Sequence, residues 1–233
     1  MNYLMFGEVN SADYDVNISG EGTYNTPARD VEVIPIPGKN GTLSIDNKRF
    51  NNVDITYPAV IVSNFERNYS AFKGALMSQT GYQRLVDTYD EDHYRLARYH
   101  SEITPSMDQY NRHGQFSLIF DCDPRRFLKN GDRVVEFTSA GSLKNPTMFD
   151  ALPLVRAYGT GTVTINGITV TITTADGYTD LDSETQEAYK GSTSCNGNIT
   201  LTSGEFPYLG KGVNNISMTG VTKVEITPRW WTL

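Results

Sequence analysis

Apolar residues in this chain recur mostly at every second position, and a single stretch keeps a helical period. Val53-Asp54-Ile55-Thr56-Tyr57 alternates and Val60-Ile61-Val62 continues the extended pattern, which predicts strand. Pro58 lacks an amide donor, which predicts an edge position or a bulge. Gln83 to Asp87 reads as strand, Asp90-Glu91-Asp92 as a charged turn, and Tyr94 to Tyr99 as the returning strand. Gly114 to Phe120 places Phe116, Leu118 and Phe120 on one strand face, and residues 101–113 are polar and unassigned. The exception is Phe65, Tyr69, Phe72 and Leu76, spaced four, three and four apart. That spacing stacks four large side chains along one side of a helix. Asn64 or Asn68 could cap its start, and Gly81 stands just past its end. A cofactor box is the other reading of this stripe, but the polar side carries no matching ligands, so the stripe predicts core.

After Asp123-Pro124-Arg125-Arg126 the character changes. A polar stretch from Lys129 to Ala151 holds one short strand, Val134 to Phe137. Beyond it Thr, Val, Ile and Gly dominate without a helical period. Thr162 to Ile165, Asn166-Gly167 and Ile168 to Ile172 spell a hairpin, because Asn-Gly supplies the two positive φ angles of a type I′ turn. Further strands are predicted at Pro153 to Tyr158, Tyr178 to Asp182, Gly197 to Thr202, Asn215 to Met218 and Val221 to Trp231. Short strands at this density predict a β-sandwich. Two domains follow, 1–130 and 131–233.

Composition narrows the function classes. Aspartate and glutamate total 27 against 20 lysines and arginines, a net charge of −7 that lacks the basic footprint of a nucleic-acid binder. No run approaches the roughly 20 apolar residues of a membrane helix. The N-terminus has no basic region and its apolar run stops after four residues, so no secretory signal is expected and synthesis in a cytoplasm is. Cys122 and Cys195 are too few and too distant for a disulfide framework or zinc knuckle; free thiols are expected, with a bridge between them left open.

Candidate chemistry is thin. Asp180, Asp182 and Glu184 have the opening spacing of a calcium loop, but its sixth position is Thr185 and its twelfth is Gly191, so a solvated turn is expected. His93, His100 and His113 form no His-Glu-x-x-His pattern and read as surface or interface histidines. No nucleophile elbow and no phosphate-binding loop occur. No catalytic residue, cofactor or metal is expected, and the chain reads as a non-enzyme.

Stiff corners and aromatics remain. Ile34-Pro35-Ile36-Pro37-Gly38-Lys39-Asn40-Gly41 follows the strand-like Val31 to Ile34, with prolines fixing φ and glycines permitting turns. Ile36, Pro37, Gly38, Asn40 and Gly41 are candidate interface residues, as are Gly81, Tyr82 and Arg84. Trp230 and Trp231 are adjacent, so on a strand they face opposite sides. One can enter its own core; the other is expected to meet another domain, another subunit or solvent.

Ordered along the chain, several segments resemble the distal tail protein (Dit) family of long-tailed siphophages. They include Asp13-Tyr14, Arg29-Asp30-Val31-Glu32, Ile36 to Gly41, Gly81 to Leu85 and Asp121-Cys122-Asp123-Pro124. Asn145-Pro146-Thr147, Ala151-Leu152-Pro153, Gly204-Glu205-Phe206-Pro207, Gly212-Val213-Asn214 and Pro228-Arg229-Trp230-Trp231 follow. The resemblance implies a mainly β fold, with a ring-forming N-terminal belt domain that holds one helix. It implies a C-terminal galectin-like or carbohydrate-binding-module-like β-sandwich. It further implies a structural virion protein of the phage tail, a ring (usually a hexamer) joining the tail tube to the adsorption apparatus. The expected partners are copies of the chain, the tail tube protein and a tail-associated lysin, tail fibre or receptor-binding protein, with no membrane. Nucleic acid is expected only to pass through the ring. The alternative function is a carbohydrate-binding module assisting adsorption.

Overall fold

The computed structural model describes residues 1–20, 23–108, 110 and 112–233. Gln109 and Asn111, within the unassigned polar stretch, lie outside them. The fold is mainly β, with one α-helix among the described residues. It divides into two compact units, Met1–Arg126 together with Leu233, and Phe127–Thr232.

The N-terminal unit contains β1 (Leu4–Phe6), β2 (Val9–Asn10), β3 (Val16–Ile18), β4 (Arg29–Pro35), β5 (Thr42–Phe50), β6 (Val53–Ile61), α1 (Phe65–Ser78), β7 (Gln83–Asp87), β8 (His93–Arg98) and β9 (Ser106–Met107). It also holds most of β10 (Gly114–Leu128). Its main sheet runs β2-β1-β7-β8-β10-β6-β3, with β9 against the start of β10. Alternate residues of β6 are buried, as its period predicted. Pro58 sits in neither an edge strand nor a bulge: it stands opposite Ser117 of β10, and β6 also has β3 as a neighbour. Its missing donor falls where β3 stops, beside the bond from Ser19 N–H to the Pro58 carbonyl (2.8 Å). The strand containing Gly114 to Phe120 runs on through Pro124. There the Asp123 side chain accepts the Arg125 N–H (2.9 Å).

Helix α1 inserts Phe65, Phe72 and Leu76 into this core. Asn64 is its N-cap in left-handed conformation, without a side-chain cap bond; the Asn68 side chain instead donates to Asp15 (2.9 Å). Gly81 adopts φ +69°, two residues beyond the extended C-cap Gln79. Phe72 meets Tyr14 and Phe116, and Phe6 meets Phe120 at 5.1 Å. Gly114 passes beneath the Phe65 ring, where an added Cβ would stand 2.3 Å from a ring carbon. Phe72→Ala removes a fully buried ring and is expected to cost about 3–5 kcal/mol, read as a lower urea midpoint at unchanged slope.

The C-terminal unit contains β11 (Val135–Phe137), β12 (Gly141–Asn145), β13 (Leu154–Tyr158), β14 (Gly161–Ile165), β15 (Ile168–Ile172), β16 (Tyr178–Asp182), β17 (Glu187–Lys190), β18 (Thr193–Ser194), β19 (Ile199–Leu201), β20 (Gly212–Thr219) and β21 (Lys223–Thr227). One sheet runs β11-β21-β13-β16-β17-β18 and the other β12-β20-β14-β15-β19. Val155, Leu181, Val224 and Ile226 of the first share one core with Val163, Ile165, Val170, Ile172 and Ile216 of the second. This is a β-sandwich. Asn166 (φ 50°) and Gly167 (φ 85°) form the tight turn between β14 and β15.

Candidate interaction surface

Strands β4 and β5 form a sheet of their own, paired to no other strand among the described residues. Direct opposition of Val31 to Asp46, Val33 to Ser44, Ile34 to Leu43 and Pro35 to Thr42 fixes its register. Opposed residues in an antiparallel pair share a side. One side therefore presents Ile34, Leu43 and Ile45, and the other Val31 and Val33. Both are open: Val33 is 57% exposed and Leu43 49%. Neither hydrophobic core includes a residue of this hairpin.

Local chemistry shapes the hairpin. At its root Arg29 pairs with Asp46 (2.7 Å) and lies over the Phe50 ring (4.9 Å), and Arg49 pairs with Asp30 (2.6 Å). The Lys48 backbone N–H, more than Arg29, holds the Asp46 carboxyl below its ordinary value. At its tip, Ile36 to Gly41 turn the chain; Lys39 N–H donates to the Ile36 carbonyl (3.2 Å). Gly38 (φ +77°) and Gly41 (φ +86°) take conformations that only glycine enters cheaply, and the space around both is open. A two-stranded ribbon is marginal in water on its own. Exposed apolar side chains on both of its sides call for a covering surface.

Of the residues singled out in the sequence, Ile36, Pro37, Gly38, Asn40 and Gly41 all lie at this tip. Tyr82 lies near the hairpin's root through Asn52, two residues after β5: Asn52 Nδ2 donates to the Tyr82 hydroxyl (2.7 Å) and to Asp121 (2.7 Å). Asp121 also accepts from Arg98 Nε (2.5 Å), whose guanidinium approaches the Tyr82 ring. Arg84 stacks on Tyr94 at 3.9 Å. Both tryptophans belong to the C-terminal unit. Trp230 is buried in its core. Trp231 stacks on Phe149 at 4.3 Å and donates its indole N–H to the Asp150 carbonyl (2.9 Å). Trp231 is half-buried, and a ring and a carbonyl of its own unit receive it.

Strand β5 escaped the sequence reading. Its only pattern is Leu43 and Ile45 two apart in an otherwise polar run, too short a signal to separate from loop.

The other candidate chemistry resolves into ion pairs. Asp180 and Asp182 lie in strand β16, not in a solvated turn. Arg156 donates twice to Asp180 (2.7 and 2.9 Å), and Arg229 twice to Asp182 (2.7 and 3.0 Å). His93 pairs with Asp90 (2.7 Å) and His113 with Asp108 (3.2 Å). Both cysteines are free; burial pushes the Cys122 thiol up to about 12. Among the described residues, no three His, Cys, Asp or Glu side chains gather as a metal cage, and no helix is long and apolar enough to cross a membrane. An open depression of about 860 Å³ at the start of α1 carries Glu66, Arg67, Arg112 and His113 as its ionisable lining.

No family profile matches the chain, and no curated protein sequence does. Solved structures do match. The SPP1 Dit protein, described as a paradigm of the hub adsorption apparatus in phages that infect Gram-positive bacteria, is similar over 100% of both chains, with a TM-score of 0.77 at 13% identity. A chain of the phage p2 baseplate in its activated conformation with Sr covers 97% of each, with a TM-score of 0.51 at 10% identity. At these identities the likeness is one of fold.

Proposed function

We propose that this chain is a distal tail hub, a structural virion protein whose copies close into a ring joining the tail tube to the tail-tip adsorption apparatus. The observation that carries this reading is end-to-end likeness of fold to SPP1 Dit, with both chains covered in full. The hairpin β4–β5 adds physical support. A ring of identical subunits needs a patch on one copy to meet a different patch on the next. An arm that exposes apolar side chains on both sides suits such a contact. The N-terminal unit then forms the ring, with the hairpin tip and Tyr82 near its contacts. The partners are further copies, a hexamer by the resemblance, the tail tube protein, and a lysin, fibre or receptor-binding protein at the tip. No reaction is assigned to it.

Light scattering on the purified chain, alone and mixed with the tail tube protein, tests the reading. A hexameric mass supports it, and a monomer in both conditions overturns it. The double variant Leu43→Asp, Ile45→Asp is expected to abolish the ring. Its own fold should shift by no more than about 0.5 kcal/mol per site, because both positions are exposed.

A sugar-binding role for the sandwich needs a bare aromatic platform. Tyr178 lies under Arg156 (4.3 Å) and Tyr158 under Lys223 (4.4 Å), so neither ring is bare; Tyr208 is open (38% exposed), but one open ring does not make a platform. This leaves the structural role as the preferred reading.

A further inference from the structure

The chain contains four Asn-Gly pairs, at Asn40, Asn130, Asn166 and Asn196. In such a pair the glycine nitrogen, unobstructed by a neighbouring Cβ, is able to attack the asparagine Cγ. An N–C bond forms, the side-chain nitrogen leaves as ammonia, and a succinimide ring results. Water then opens the ring at either carbonyl, leaving aspartate or isoaspartate. The reaction consumes one water, releases one ammonia and transfers no electrons. Its requirement is freedom: the carboxamide and the following N–H must be able to turn toward each other.

Three of the four pairs are restrained. The Asn166 carboxamide donates to Asn214 Oδ1 (2.5 Å) and accepts from Asn215 N–H (3.0 Å). Asn196 Oδ1 accepts from Ala188 N–H (2.6 Å). Asn130 lies inside the 3-10 turn Lys129–Asp132, and Gly131 is buried, with the space beside its Cα filled by the Trp230 backbone nitrogen. Asn40 differs in its hydrogen bonding. It stands at the exposed hairpin tip, and among the described residues no hydrogen bond holds its carboxamide or the Gly41 N–H. The space around Gly41 is open, as it is around Gly167 and Gly197, so the missing hydrogen bonds are what set this pair apart.

We infer that Asn40 is a site of spontaneous deamidation in the folded chain, selected by structure from four equivalent dipeptides. Conversion takes the net charge from −7 to −7 − 1 = −8. Isoaspartate also adds a backbone methylene at the turn. The inference stands on the hairpin's geometry alone and is independent of the ring. If the ring reading also holds, a subunit that ages before assembly brings a new carboxylate to the contact, and an assembled one is shielded.

The test is incubation of the full chain at mildly alkaline pH, native and in urea, followed by peptide mass mapping and isoaspartyl labelling. Asn40 is expected to convert at least roughly tenfold faster than the other three in the native protein, the factor that one or two retained hydrogen bonds impose. In urea the four rates should converge. The Asn40→Gln protein should lose the native-state signal, since glutamine cyclises far more slowly. Equal native rates at all four sites, or a faster site elsewhere, overturn the assignment.

Discussion

The Gly161→Ala protein is expected to lose the fold of its C-terminal unit. Gly161 opens β14 at φ +143°, where an added Cβ would stand 2.1 Å from the Thr219 carbonyl oxygen, 2.7 Å from Val221 N and 2.8 Å from Gly220 Cα. All three are backbone atoms at the end of the β14–β20 ladder, whose pairing begins one residue later at Thr162 and Thr219. No rotamer can relieve that clash; the ladder itself must shift. Backbone strain of about 1–3 kcal/mol adds to the lost pairing. A total of roughly 4 kcal/mol or more approaches the whole stability of a small unit. Gly159→Ala is the control, because its φ is also positive (+90°) but nothing lies within 4 Å of its added carbon. It should cost only about 1 kcal/mol. Near-ultraviolet circular dichroism during a melt separates the two, and equal melting points would show that the close approach does not govern stability.

Arg229→Ala is expected to cost about 2–3 kcal/mol at neutral pH, with a pH dependence that identifies the cause. Burial alone would raise the Asp182 carboxyl, but the paired hydrogen bonds and charge of Arg229 outweigh it and hold it below the ordinary value. A carboxyl depressed in the folded state contributes stability above its unfolded value near 4, and this is lost as pH falls through the lower folded value. Without Arg229 the Asp182 carboxylate stays buried with its main partner gone, the costly half of a broken pair. The figure is set below the range for fully buried pairs because Arg229 is partly exposed. Protonation of Asp182 removes that penalty in the variant, so the stability gap to the parent should narrow as pH drops toward 3. Chemical denaturation over that range measures it; a gap constant with pH would assign the loss to packing of the arginine stem.

Legibility in the sequence followed how local each cause was. Strand β16 and the Asn166-Gly167 turn were readable because two or three residues decide them. Helix α1 was readable because four large side chains share one face. Strand β12 went unseen, since its place is set by a partner in β20 far along the chain; β17 lies just across a short turn from β16, but Glu187 to Lys190 is too short and too mixed a run to show a period. The same holds for the carboxylates. Asp182 was legible as an acid but not as the partner of Arg229, 47 residues away. Likewise, Trp231 gave no hint of Phe149 and Asp150. Of the candidate surface, the tip was legible from its prolines and glycines, but its second strand and the exposure of both sides were not.

The two thiols offer an unplanned convenience. Cys122 is sealed inside the N-terminal unit with almost no thiolate at neutral pH, whereas Cys195 is partly open at the sandwich surface. A maleimide fluorophore or gold cluster should therefore attach at one defined point per copy without any engineering. Counting those labels on a single particle would report how many subunits it holds.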